Sequence, residues 1–276
     1  MKILVAGLGL IGGSYCKAIS SYTSHEVYGY DLDTGVIKAA EECGCIIQGV
    51  TPDSFGLFDM IIVGLHPDAA KQFMNGYLSS FKKGAILADV CGIKGRMTVE
   101  MTDLAARYGV CYVGTHPMAG KERSGFEVSE ASLFNGASYI LVPCGAPRMA
   151  VDTLKKLALE IGFTMTPETT PEEHDRMIAF TSQLPHVLAC AYVMSPQCPN
   201  HKGYSAGSYR DVSRVARINE TLWSELFLEN REPLTAELDT LIENLTAIRN
   251  QISGGNQEKL KALLRKGRKI KEALGE

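Results

Sequence analysis

The chain contains no uninterrupted apolar run of ~18 residues, the length a helix needs to cross a bilayer, so no membrane partner is expected. It also has no excess of one charge. The 28 Lys and Arg stand against 31 Asp and Glu, a formal net charge of −3. That balance supplies no basic field to hold nucleic acid or anionic lipid. Only the stretch 259–271 alternates basic and apolar residues, and it reads as the solvated face of a terminal helix. The eight cysteines are scattered, and the one close pair, Cys43 and Cys45, lacks the paired spacing of a zinc site, so no metal is expected. Met1 runs straight into Lys2-Ile3-Leu4-Val5-Ala6 with no basic leader or small-residue cleavage site. Scattered thiols in such a chain point to a cytoplasmic, reducing compartment. Internal repeats and low-complexity segments are absent as well.

What is present is an ordinary globular composition, 45% apolar and 21% charged over 276 residues, enough for two domains. The first 170 residues alternate short apolar runs with helix-like stretches. Strands are expected at 3–6, 26–30, 60–64, 85–89, 111–114 and 138–143, with a last short one at 164–166. Helices are expected at 11–21, 34–42 and 151–161. Strands alternating with helices indicate a mostly parallel, doubly wound α/β sheet of the Rossmann type. Near Pro171 the pattern changes to helix alone. One long helix is expected at 172–194, interrupted or kinked at Pro185, followed by helices at 211–217, 220–230, 232–253 and 257–274. The division is therefore 1–170, an α/β nucleotide-binding domain, and 171–276, an all-helical domain. The apolar stripe of Leu238, Leu241, Ile242, Leu245, Ile248 and Ile252 is too long for one small helical layer to cover, which implies a homodimer.

Gly7-Leu8-Gly9-Leu10-Ile11-Gly12 fits G-x-G-x-x-G, directly after a strand and opening a helix. Gly7 permits the tight turn, Gly9 lets backbone approach a pyrophosphate, and Gly12 lets helix and strand pack closely. Asp31 ends the second strand, nineteen residues after Gly12, where a carboxylate accepts hydrogen bonds from the adenosine ribose and repels a 2′-phosphate. NAD is therefore expected over NADP, with Asp33 able to share the role. The nicotinamide end is expected past the next strand ends, near Leu65 and Asp89.

His116 falls at the end of a predicted strand, in Thr115-His116-Pro117-Met118-Ala119-Gly120, where a histidine can accept a proton as hydride leaves a carbinol carbon. A second constellation comprises Ser182, His186, Asp211 and Arg214. His186 sits on an otherwise apolar helix and, taken alone, reads as a core residue. Arg214 is either an i,i+3 partner of Asp211 or a bidentate carboxylate clamp.

Together these segments resemble the prephenate dehydrogenase family of tyrosine biosynthesis, including arogenate-using members. The residues that carry the resemblance are the glycine motif with Gly13-Ser14, Asp31, Asp89-Val90-Cys91-Gly92-Ile93-Lys94, His116-Pro117-Met118-Ala119-Gly120 with Glu122 and Ser124-Gly125, Gln183-Leu184-Pro185-His186, and Asp211-Val212-Ser213-Arg214 followed by Trp223. The resemblance implies an NAD-dependent oxidative decarboxylation of prephenate and a helical dimerisation domain. It implies His116 as the proton acceptor, Arg214 on a substrate carboxylate, and His186 on a polar group of the side chain. Glu122, Ser182, Asp211 and Asp175 are implied orienting groups. One departure stands out: Gly92 occupies the place where many relatives carry a serine that contacts the reacting hydroxyl. Lys94 reads either as an anion-binding residue or as a surface lysine.

Two other readings compete. A 3-hydroxyacid dehydrogenase of similar layout would rely on a lysine in the helical domain, and the stretch 178–190 has none. An NAD-binding regulator without catalysis would bind NAD(H) and leave a dienol substrate unreacted.

Overall fold

The computed structural model describes residues 1–275. Strands β1 (Lys2–Ala6), β2 (Glu26–Tyr30), β3 (Met60–Val63), β4 (Ile86–Asp89), β5 (Cys111–Pro117) and β6 (Tyr139–Val142) form one sheet in the order β2-β1-β3-β4-β5-β6. The first five are parallel, and β6 pairs antiparallel with β5. Parallel neighbours need crossover connections. These are α1 (Leu10–Tyr22), α2 (Thr34–Glu42), α3 (Pro67–Tyr77) and α4 (Gly95–Tyr108), and α5 (Arg148–Glu160) follows β6. Side chains alternate along each strand. Ile3 and Val5 pack with α1, α2 and α5 on one face, and Leu4 and Ala6 with α3 and α4 on the other. Because both faces are covered, the strands are almost wholly apolar instead of alternating.

Two expectations for this sheet are corrected. Residues 164–166 form no strand: Met165 and Glu168 each make one isolated bridge to the β6 side, and Pro167 between them has no N–H to continue a ladder. β5 runs past Gly114 to Pro117, because Gly114–Pro117 pair with the antiparallel β6. His116 is therefore a strand residue, opposite Ile140, and its backbone is fixed by the sheet.

From Pro171 onward the described residues form only helices: α6 (Pro171–Ile178), α7 (Leu184–Val193), α8 (Gly207–Ser213), α9 (Glu220–Glu229), α10 (Arg231–Ser253) and α11 (Gln257–Ala273), with short 3-10 turns between α7 and α9. Thr170 caps α6 by accepting from Glu173 N, and Pro171 suits the first turn, where no N–H is needed. The long helix expected at 172–194 is interrupted earlier than Pro185, by a π-helical turn at Ala179–Gln183. Pro185 cannot donate to the carbonyl four residues back. The wider turn ahead of it lets Leu184 N reach Ala179 O instead.

α9 docks on the carboxyl side of the sheet. The Glu225 carboxylate accepts from Asp68 N at 2.8 Å, at the start of α3. Glu229 lies 3.4 Å from Lys71 Nζ and 3.5 Å from Arg96 Nη1. No helix among the described residues is long and apolar enough to cross a membrane.

The turn after β1 is held by contact. A Cβ built on Gly12 falls 1.8 Å from Gly7 O, and Gly7 itself has φ +85°. Neither position tolerates a side chain without moving backbone. Gly12→Ala is expected to lose roughly 1–3 kcal/mol of stability, as overpacking typically does, together with measurable dinucleotide binding. Urea denaturation and fluorescence titration with NADH check this, and unchanged values in both would show that the turn relaxes.

Candidate active site

The β1–α1 turn leaves the start of α1 uncapped. α1 has no side-chain cap and no acidic residue in its first turn, so its leading N–H groups and positive dipole end are free. Nothing lies within 4 Å of a Cβ built on Gly9, so the backbone there is open to a ligand. Asp31 lies at the mouth of this turn. One of its oxygens accepts from Leu8 N at 2.7 Å and the other from Asp33 N at 2.9 Å. Asp33 is engaged elsewhere, as the N-cap of α2, where it accepts from Gly35 N at 2.8 Å. Leu65 packs over Gly7, where its Cδ2 would meet an added Cβ.

The Asp89 side chain points into the protein. Its carboxylate is wholly buried and accepts from Cys91 N, Lys94 Nζ and Tyr112 OH. Lys94 is likewise wholly buried, so the surface reading of it is overturned. A buried ion pair survives only when both partners are present; removing one typically costs roughly 3–5 kcal/mol. The pair, with Thr115 Oγ1 donating to Asp89 O, shapes the segment from Asp89 to Lys94 beside His116.

His116 is held by a residue that sequence reasoning missed. His116 Nδ1 lies 2.9 Å from His174 Nε2, and His174 Nδ1 lies 2.7 Å from Asp175 Oδ1. Asp175 also accepts from Lys94 N at 2.8 Å and Gly95 N at 2.7 Å, at the start of α4. A carboxylate only accepts, so His174 donates through Nδ1 and its Nε2 must accept. His116 then donates through Nδ1, and its Nε2 carries a lone pair. Burial pushes the His116 pKa well below its ordinary value, with the His174 and Lys94 charges acting the same way. Burial also lowers His174, partly opposed by Asp175. The pair is therefore neutral at physiological pH, with a proton-accepting nitrogen fixed on β5. His174 lies 58 residues from His116, and no spacing rule links them. The only trace in the sequence is an adjacent His-Asp pair on the first helix past the change of pattern.

The second constellation is partly assembled. His186 stacks on Trp223 with ring centroids 3.8 Å apart, and its Nδ1 donates to Ser182 O at 2.7 Å. Ser182 thus acts through its carbonyl. Burial lowers the His186 pKa, the Ser182 carbonyl opposes this, and the positive charge of Arg214 lowers it further. Arg214 is exposed and makes no ion pair among the described residues. Asp211 does not join it: its carboxylate is exposed, and its nearest cation is Arg210 at 3.9 Å. Glu122 is exposed on the loop after β5 and has no hydrogen bond or ion pair among the described residues. Trp223 and Leu226, three residues apart on α9, share a helix face. Trp223 meets His186, and Leu226 Cδ2 lies 3.7 Å from a Cβ built on Gly92, so α9 spans the two groups.

Two family models together match most of the chain. Residues 16–166 match the family described as "Prephenate dehydrogenase, nucleotide-binding domain", and residues 170–266 match "Prephenate dehydrogenase, dimerization domain". The chain belongs to the prephenate dehydrogenase family. It is 29% identical to a prephenate dehydrogenase of Bacillus subtilis over 94% of this chain and 72% of that one. It is also 29% identical to a cyclohexadienyl dehydrogenase of Zymomonas mobilis, over 99% of this chain and 95% of that one. The same fold occurs in a crystal structure of prephenate dehydrogenase from A. aeolicus in complex with hydroxyphenyl propionate and NAD+, with TM-score 0.88 and 24% identity over 99% of this chain and 98% of that chain. Membership makes the chain an oxidoreductase with a nucleotide-binding sheet and a helical dimerisation region.

Gly92 lies in front of His116. A Cβ there would sit 3.8 Å from His116 Nε2, at ordinary contact distance. Glycine therefore leaves beside His116 Nε2 a gap that a Cβ would close to ordinary contact.

Neutral buried histidines make stability depend on pH. The unfolded chain binds these protons below about pH 6.5 while the folded chain does not, so stability falls as pH drops through that value and is level above it. The urea midpoint is expected to fall between about pH 7 and pH 5.5, and less steeply in His116→Asn. An equally steep fall in that variant would mean that His116 is not held neutral.

Proposed function

We propose that this protein is an NAD-dependent prephenate dehydrogenase, converting prephenate to 4-hydroxyphenylpyruvate by oxidative decarboxylation. The observation that carries the reading is the chain Asp175–His174–His116, which presents a neutral nitrogen base at a strand end beside a dinucleotide cradle.

The residues of the β1–α1 turn fit the cofactor. Gly7, Leu8, Gly9, Leu10, Ile11 and Gly12 would hold the pyrophosphate through backbone N–H groups, Asp31 the adenosine ribose, and Leu65 and the segment anchored by Asp89 the nicotinamide end. NAD, when bound, supplies the hydride acceptor. His116 Nε2 takes the proton of the ring hydroxyl as the ring carbon is oxidised. His174 and Asp175 hold the ring orientation and tautomer and stabilise the imidazolium that forms. Arg214 clamps a substrate carboxylate, and His186, propped by Ser182 and Trp223, faces its side chain. Glu122 and Asp211, exposed in one chain, would act only if a loop or a second subunit brings them in. Loss of the ring carboxylate as carbon dioxide aromatises the ring and draws the reaction forward. What remains for the protein is orientation and one proton transfer.

The domain division at 170/171, a homodimer and a cytoplasmic setting belong to this proposal, as does the absence of nucleic-acid and membrane partners. The homodimer is supported by the dimerisation-domain match and by α10, whose Ile242, Leu245 and Ile252 are 57%, 50% and 63% exposed in the single chain. An arogenate-using enzyme is a second reading, favoured by His186. With Nδ1 donating to Ser182 and the ring neutral, Nε2 accepts, which suits an ammonium better than a keto group.

NADH formation at 340 nm with prephenate and arogenate, each with NAD and NADP, tests these readings. Prephenate with NAD is expected to turn over, and silence with both substrates in protein that binds NAD would sink the proposed chemistry. His116→Asn is expected to lower kcat by ~10²-fold or more with NAD affinity little changed, and an unchanged kcat removes it as the base. Asp31→Ala is expected to loosen the preference for NAD; a strict preference retained would place cofactor selection elsewhere.

A further inference from the structure

The start of α3 is closed from the other half of the chain. Its cap position holds His66, whose side chain makes no capping hydrogen bond, and Pro67 has no N–H. The N–H of Asp68 is among those that a helix start leaves unpaired. Glu225 of α9 supplies its partner: the carboxylate accepts from Asp68 N at 2.8 Å, across 157 residues of chain. One turn further along α9, Glu229 lies 3.4 Å from Lys71 Nζ on α3, and the two side chains are each only 14% exposed. The two carboxylates are four residues apart and share one face of α9. Trp223 and Leu226 lie on another. Trp223 stacks on His186, and Leu226 Cδ2 lies 3.7 Å from a Cβ built on Gly92. The turn that Glu225 holds follows directly on Leu65, which packs over Gly7. One ten-residue helix thus grips the glycine-turn side of the cleft with one face and the His116 and His186 side with another.

We propose that Glu225 is a positioning residue that couples the two sides of the cleft, so that a dinucleotide settling against Leu65 and the start of α3 also fixes the helix that carries Trp223. This rests on the proposed seat of the nicotinamide end beside Leu65. Without Glu225, Asp68 N has no protein acceptor and the turn at 65–68 loses its direct tie to α9. Linkage makes the effect run both ways. Groups on the substrate side that the dinucleotide orders bind their own ligand more tightly when it is present, and the dinucleotide binds more tightly when they are occupied. Glu225 touches no reacting atom; it acts through Asp68 N on one side and through α9 on the other. The bond needs an acceptor at the right reach and does not need a charge. A side-chain amide oxygen accepts the same N–H, so Gln serves in this place, while Ala, and Asp with its shorter arm, do not.

Amide hydrogen exchange of the full-length protein, read by mass spectrometry with and without saturating NAD+, tests the coupling. In the unaltered protein NAD+ is expected to slow exchange in 64–70 and also in 220–229. Glu225→Ala and Glu225→Asp should keep the first response and lose the second, and Glu225→Gln should keep both. In parallel, NAD+ is expected to tighten binding of 4-hydroxyphenylpyruvate, the proposed product, by at least about 5-fold, the lower end of ordinary coupling between sites. In the Ala and Asp variants that affinity should hardly respond to NAD+. A residue that only stabilised the fold would shift the urea midpoint and leave this ratio alone. No slowing in 220–229 of the unaltered protein, a response there that survives Glu225→Ala or Glu225→Asp, or one already lost in Glu225→Gln, overturns the proposal. Intact coupling in a protein that leaves prephenate unreacted would keep it and remove the proposed reaction instead.

Discussion

The Asp175 carboxylate is the constraint on which the site depends. It accepts from His174 and from two backbone N–H groups at the start of α4. The His174 bond sets a tautomer, and the two backbone bonds satisfy donors that a helix start leaves unpaired. Both belong to one buried group that joins the first helix of the C-terminal region to the nucleotide-binding sheet. Around it, Asn230 donates to Asp175 O and to Gln183 Oε1, and Gln183 donates to Leu226 O, so α6, α7 and α9 are tied to the same point. A buried polar network of this kind is stabilising only when every member is paired, and here the connections run through both parts of the chain.

A consequence of that network is that the proposed base needs no titration to become active. A histidine exposed to water near neutrality would be partly protonated. Burial keeps His116 and His174 neutral, and the fixed direction of the two hydrogen bonds leaves one lone pair pointing away from the relay. Gly92 then decides how much room lies in front of that nitrogen. The buried Asp89–Lys94 pair decides where Gly92 sits, because it shapes the short loop that carries it.

The helical part gains little from its own interior. Its buried cluster consists of Ala179, Leu184 and Leu234 with a few partly covered neighbours, against two large clusters on the sheet. Its position comes from the Asp175 network and from the Glu225 and Glu229 contacts of α9 to α3 and α4. The apolar face of α10 is left uncovered in one chain, as a dimerisation region requires.

What the sequence determined by itself was local. Strand and helix periods, the glycine turn with Asp31, and the change to pure helix at Pro171 all follow from residue type over short spans, where sterics and amphipathic spacing act directly. Pro185 announced an interruption, but its place was set by which carbonyl Leu184 could reach. His116 was legible as a strand-end histidine, while its state was not. Tertiary structure alone decided that His174 would stand behind it, that Lys94 would be buried against Asp89, and that Asp211 would point to water. Each of those outcomes rests on burial or on a hydrogen bond between residues distant in the chain, and neither the dielectric around a group nor the partner across a cleft is encoded in spacing.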